Sequence, residues 1–228
     1  MIPNDPNIQS LDLAANALKP LLGELVLVGG CAVGLLITDR ARPPVRHTID
    51  VDMVTGVTPL ANYYKLSDTL RNLGFRESDD IICRWTKDRL VIDVMPTDKK
   101  VLGFTNRWYE LAINTFLTTT LPSGLEIRHV TAPLLIATKI ESFYGRGKGD
   151  FLHHDIEDIV ILVDGRPELA QEIIDSPPEL REYIQEEIDD LLANMDFTNA
   201  LPMHLQPSLI EQSRLPILIG RFRKIAGL

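Results

Sequence analysis

Two rhythms of apolar and polar residues run along this chain. The front half is built of short runs with the period of a strand, separated by brief helical stretches. Ser10 is a plausible N-cap for a helix through Leu18, with Asp12 in its first turn and Pro20 at its end. Leu25–Val28 reads as a first strand that stops at Gly29-Gly30. Residues 31–38 (Cys31, Ala32, Val33, Leu35, Leu36 and Ile37 among them) are so apolar that they predict a short buried helix. A loop over 39–47 carries Arg40, Arg42, Pro43, Pro44, Arg46 and His47, and a strand follows over 48–54. Pro59 suits the first turn of a helix over 59–73, with Leu60, Tyr63, Tyr64 and Leu70 facing inward and Gly74 as its stop. Strands are expected at 75–77, 81–86 and 90–95, the last two joined as a hairpin through Lys87-Asp88-Arg89. A helix over 105–115 and a second hairpin, 116–121 with 125–130 across Pro122-Ser123-Gly124, complete this half.

From Thr131 the period becomes helical. Thr131 caps a run through Tyr144, the glycine-rich link GRGKG spans 145–149, and helices are expected near 153–164, 167–175, 178–195 and 207–226. Gly165 and Pro177-Pro178 punctuate them. In the acidic stretch Glu179–Asp190, the residues Leu180, Tyr183, Ile184, Ile188, Leu191 and Leu192 form an apolar stripe, so the acids are read as its wet face. The pattern therefore predicts an α/β (α+β) fold: a small mixed sheet with flanking helices over residues 1–130, then a helical part over 131–228.

Composition narrows the class without changing this picture. At 228 residues and 45 % hydrophobic content, the chain can bury a core without staples. A net charge of −9 argues against broad nonspecific binding to nucleic acid, though not against a local basic groove. Cys31 and Cys83 have neither metal-ligand spacing nor a disulfide framework, which suits a reducing cytoplasm. Neither a signal peptide nor a membrane span is evident, so a cytoplasmic location and no membrane partner are expected.

The chemistry concentrates in Thr48-Ile49-Asp50-Val51-Asp52-Met53-Val54. Residues two apart on a strand share a face, so Asp50 and Asp52 project together. Asp93 is a third acid, alone in the apolar strand 90–95 and costly there without a partner. Adjacent carboxylates repel unless a cation lies between them, and a hard divalent ion is the usual remedy. Three such acids suit Mg²⁺, or Mn²⁺, in phosphoryl or nucleotidyl transfer. Gly29-Gly30, before a helix N-terminus, lets backbone N–H groups approach phosphate oxygens, with Cys31 next in line. Arg46, Lys139, Arg146 and Lys148 are candidate partners for phosphate charge.

These motifs resemble the nucleotidyltransferase superfamily, whose founder is the polymerase-beta palm. The nearest likeness is to nucleotidyltransferases of the AbiEii/AbiGii toxin type. VGGCAV (28–33), RHTIDVDMV (46–54), VIDVMP (91–96) and LLIATKIESFYGRGKGDFLHHDIEDIVILV (134–163) carry it, over roughly residues 25–165. The resemblance implies an enzyme that binds an NTP such as ATP with Mg²⁺ and transfers a nucleoside monophosphate to a hydroxyl. Asp50, Asp52 and Asp93 would be catalytic and metal-binding, Lys139 would contact phosphates, and Asp150, Asp155 or Asp158 would lie at the site's edge. The acceptor stays open among an RNA end, a protein side chain and a small molecule; the resemblance points to tRNA or another cellular acceptor, and to an antitoxin protein as partner. Cys31 departs from the Ser or Thr common in the family, and nineteen residues between Gly30 and Asp50 are more than usual.

Other readings compete for the same residues. A dinucleotide fingerprint needs a glycine where Cys31 stands. His153-His154 with Asp155 and Asp158 is read as a helix N-terminus with acids set against its dipole, rather than as a transition-metal site. The GRGKG link is either a connector or a carrier of Arg146 and Lys148 to phosphate. The alternative to an enzyme is a non-catalytic nucleotide-binding or regulatory partner in a toxin–antitoxin pair.

Overall fold

In a computed structural model of the protein, which describes residues 5–39, 45–56 and 60–228, the chain forms two compact units. One takes in residues 5–35, 45–56 and 60–131, the other residues 36–39 and 132–228. The loop residues Arg40, Arg42, Pro43 and Pro44 and the expected helix start at Pro59 lie outside the described residues.

The first unit is built on a seven-stranded mixed sheet. In chain order its elements are α1 (Ile8–Ala17), β1 (Leu25–Leu27), α2 (Gly30–Leu36), β2 (Asp50–Thr55), α3 (Leu60–Asn72), β3 (Arg76–Glu77), β4 (Arg84–Lys87) and β5 (Leu90–Pro96). The short helices α4 (Lys99–Leu102) and α5 (Tyr109–Asn114) and the strands β6 (Leu117–Thr120) and β7 (Glu126–His129) follow. The spatial order is β3-β4-β5-β2-β1-β7-β6. β2 runs parallel to β5 and antiparallel to β1, while β1 runs parallel to β7. The central strands bury one face fully: Val51, Met53, Ile92, Val94 and Trp85, which share it by register, are all shielded from solvent. The expected sheet is present, and both hairpins form.

Element boundaries differ from the pattern where caps and turns decide them. α1 starts three residues early, with Asn7 rather than Ser10 at the N-cap position. The strand expected over 81–86 begins only at Arg84, whose N–H reaches the carbonyl of Ile81. Tyr64 is exposed, and the buried face of α3 carries Tyr63, Leu66 and Leu70 instead.

The second unit is helical: α6 (Ala132–Arg146), α7 (His154–Gly165), α8 (Leu169–Ile174), α9 (Pro178–Ala193), α10 (Met195–Ala200), α11 (Leu209–Gln212) and α12 (Leu215–Ala226). α6 is buried almost all round from Ala132 to Ile140, which makes it the central helix, packed by α7, α8 and α9. Leu180, Ile184, Ile188 and Leu191 form the buried stripe of α9. The long helix ends two residues early, at Ala193, and Asn194 starts another: its Oδ1 accepts from the N–H groups of Asp196 and Phe197. The expected helix over 207–226 divides at Ser213-Arg214, with Pro216 in the first turn of α12. Phe197 stacks edge-on against Phe151 and Phe222, with ring centroids 5.7 and 5.6 Å away. Among the described residues no helix is long and apolar enough to cross a membrane.

Candidate metal and nucleotide site

Strand register assembles the acids. Asp52 on β2 lies directly beside Asp93 on the parallel strand β5, so both side chains rise from one face. Asp50 shares that face two residues away. Asp50, Asp52 and Asp93 each offer a carboxylate oxygen within 4.8 Å of the others. Asp93 is 8 % exposed, while Asp50 and Asp52 are half-buried. Three converging hard oxygens are the donor set that a divalent cation such as Mg²⁺ takes, so the residues fit the ion.

The glycine turn is shaped by the same acids. Gly29 has φ +67°, in the left-handed region. A Cβ there would collide with the Asp52 carboxylate, 2.6 Å from its Cγ. Gly29 is thus the surface on which Asp52 lies. Gly30 opens α2. Cys31 is fully buried; its Sγ lies 2.7 Å from Thr48 Oγ1 and 3.3 Å from the carbonyl oxygen of Asp50. Burial, reinforced by the charges of Asp52, Asp5 and Asp50 against the bond to Thr48, pushes its thiol up to about 12, so it stays neutral.

A buried polar network holds the entry to β2. Asn7 accepts from both the N–H and the hydroxyl of Thr48, at 2.9 and 3.1 Å, and its Nδ2 donates to the carbonyl of Arg46, at 3.0 Å. Its own N–H donates to the Asp5 carboxylate, whose pKa burial raises above the usual range. Arg46, half-buried, is therefore anchored through its backbone three residues before the first acid's neighbour Ile49.

Arg84 is the functional residue that sequence reasoning missed. β4 pairs antiparallel with β5 so that Arg84 stands opposite Asp93. Its Nε donates to Asp93 Oδ1 and its Nη2 to Asp93 Oδ2, both at 2.8 Å, and Nη2 also pairs with Asp50 Oδ2. The hydrogen bonds it donates to Asp93, opposed by burial and helped by the charges of Asp93 and Asp50, hold its pKa further above its ordinary value. The signal lay in the hairpin: Lys87 pairs with Leu90 around a two-residue turn with Asp88 at φ 53°, and counting back sets 84 against 93.

The candidates from the helical unit are placed as follows. Lys139, on α6, is 5 % exposed and bridges two α7 acids, with Nζ 3.0 Å from Asp155 Oδ1 and 2.6 Å from Asp158 Oδ2. Arg146 donates through Nε and Nη2 to the two oxygens of Asp155, both at 2.8 Å. Burial alone would raise the Asp155 carboxyl; the Arg146 hydrogen bonds and the Lys139 charge outweigh it and hold it below the usual carboxylate range. His153 is the N-cap of α7, its Nδ1 accepting from the Asp155 N–H at 3.2 Å, and its ring lies 3.9 Å from that of His154. His153, His154 and Asp155 also offer converging ligand atoms, but both Asp155 oxygens are held by Lys139 and Arg146. Lys148 is exposed at φ 51°, beside Gly149, and lines a recess of about 260 Å³ with Phe143, Tyr144, Phe151 and Asp190. Asp150 accepts from the Leu152 N–H in the same link. Cys83, like Cys31, is a buried free thiol.

Comparison with known structures identifies the architecture. A solved antigenic nucleotidyltransferase-like protein from Paracoccidioides brasiliensis superposes over 88 % of this chain and 94 % of its own, with a TM-score of 0.56 and 21 % sequence identity. This is a nucleotidyltransferase-like fold. No protein-family model and no curated protein matches the sequence.

Proposed function

We propose that the protein is a metal-dependent nucleotidyltransferase that transfers a nucleoside monophosphate from an NTP to a hydroxyl acceptor, with release of pyrophosphate. The observation that carries this reading is the convergence of Asp50, Asp52 and Asp93 beside a left-handed glycine, on a fold shared with a nucleotidyltransferase-like protein. A divalent cation, Mg²⁺ or Mn²⁺, supplies Lewis-acid neutralisation of phosphate charge when bound. Asp50, Asp52 and Asp93 are the residues that would hold it. Asp93 is also the base for the acceptor hydroxyl's proton, since it is a carboxylate on the same face as the other two. The turn at Gly29-Gly30 presents backbone N–H groups without a Cβ in the way, which favours close approach of a triphosphate. Arg46, anchored by Asn7, is assigned to phosphate charge. Lys139 and Arg146 are committed to Asp155 in the helical unit, and the reading does not depend on them.

The finer assignment follows the motif likeness to AbiEii-type enzymes: ATP or another NTP as donor, an RNA acceptor, an antitoxin protein as partner and a cytoplasmic setting. The test is incubation with labelled NTPs, Mg²⁺ and total RNA or lysate. Labelled acceptor and pyrophosphate are expected, and Asp52→Asn is expected to lower the rate by at least about 100-fold. Full activity in Asp52→Asn would refute the mechanism. One observation favours a second reading, a nucleotide-binding partner without turnover: the Arg84 guanidinium lies among the acids that catalysis requires. Tight NTP binding with no labelled product from any acceptor pool would select it.

A further inference from the structure

The position of Arg84 carries a consequence for how the acid cluster takes a cation. Its guanidinium uses both oxygens of Asp93 and one of Asp50. Those oxygens are also the ligands expected for a divalent ion, which binds carboxylates at about 2.0–2.1 Å in the case of Mg²⁺. A guanidinium nitrogen 2.8 Å from the same oxygens stands in that approach. With the guanidinium on these oxygens, an entering cation meets a like charge at close range and fewer open lone pairs. The arginine cannot be absent from the neighbourhood either, because its Cα is paired across the hairpin with that of Asp93. Its long stem nevertheless lets the head group leave while the strand stays. A planar fork released from two carboxylates is suited to phosphate oxygens, which match its donor geometry.

We propose that Arg84 is a built-in competitor for the catalytic cation, displaced when metal and triphosphate enter together and then paired with the triphosphate. The proposal rests on the nucleotidyltransferase reading of the same acids. In the nucleotide-free protein Arg84 neutralises Asp50 and Asp93, so the cluster is stable without metal and binds it weakly. In the loaded site the triphosphate offers the displaced guanidinium a new anion. Cation and nucleotide binding are thereby coupled through one side chain.

The test is a Mn²⁺ titration followed by electron paramagnetic resonance on the full-length, nucleotide-free protein, with calorimetry of a non-hydrolysable NTP analogue at fixed Mn²⁺. Arg84→Gln is expected to bind Mn²⁺ more tightly than wild type, on the order of tenfold, because the competing charge is gone. It is expected to bind the analogue with Mn²⁺ more weakly, also by about tenfold, because the phosphate partner is lost. A residue that only supported the hairpin would weaken both or neither, so this crossing of effects is the signature. Arg84→Lys guards against a folding defect in the first variant. Its single-pronged charge is expected to bind Mn²⁺ a few-fold more tightly than wild type. Mn²⁺ affinity unchanged in both variants, with Asp52→Asn weakening it in each, would overturn the proposal and leave the metal site standing. No Mn²⁺ binding by wild type or variants, with or without the analogue, would overturn the proposal and the metal site together.

Discussion

Gly29 shows how one residue couples backbone to chemistry. Its positive φ and the Asp52 carboxylate lying against its Cα both exclude a side chain. Gly29→Ala is therefore expected to destabilise the protein by about 1–3 kcal/mol, through left-handed strain and displacement of Asp52. Urea unfolding measures the first effect, and Mn²⁺ affinity, expected to fall, measures the second. An alanine variant with unchanged stability and affinity would show that the turn yields freely. Cys31 is the contrasting case. Its position after the glycines suggests phosphate contact, yet its thiol lies inside, against Thr48 and the carbonyl of Asp50. The same short spacing that brings Gly30 to the start of α2 turns the next side chain inward.

At the scale of elements, α6 and α7 are joined by a charge network as well as by apolar packing. Lys139 reaches Asp155 and Asp158 from within a helix otherwise lined with Leu134, Leu135, Ile136 and Ile140. Removing only the cation takes one charge partner from each of two buried carboxylates, while Arg146 stays on Asp155. Lys139→Met is expected to cost about 3–5 kcal/mol in denaturant unfolding, with part of the loss recovered when Asp155 and Asp158 are also neutralised as Asn. A loss below about 1 kcal/mol would mean that water or rearrangement satisfies the acids. The lysine and both acids are visible in the sequence, but spacing alone does not pair them. They come within 3.0 Å only because α7 packs back on α6.

For the whole molecule, the informative variable is pH. Asp155 has a folded pKa below its unfolded value, so its stabilising contribution is present above the ordinary carboxylate pKa of about 3.9. That contribution is lost as pH falls from there through the depressed folded value. Unfolding free energy is expected to decline below about pH 4. Asp155→Asn is expected to be less stable at neutral pH and to decline less steeply over the same acid range. Equal slopes for the two proteins would assign acid sensitivity to other carboxylates. The net charge of −9 adds self-repulsion at neutral pH but does not alter this comparison, which holds the rest of the chain constant.

Much of the site was legible before any folding. Strand period alone places Asp50 and Asp52 on one face, and Gly29-Gly30 marks a turn because few other residues accept that backbone. The sheet-plus-helices division follows from the change of hydrophobic period near Thr131. These are local properties, set by residues close in sequence. Arg84 is different. A hairpin link of three residues, Lys87-Asp88-Arg89, would set it opposite Ile92, whereas the observed two-residue turn sets it opposite Asp93. One residue of register decides on which face an arginine meets an acid. The burial of Lys139 against Asp155 and Asp158, and the capture of Thr48 by Asn7, likewise join residues far apart in the chain. Local pattern decides which way a side chain points on its own element; only packing decides what it meets.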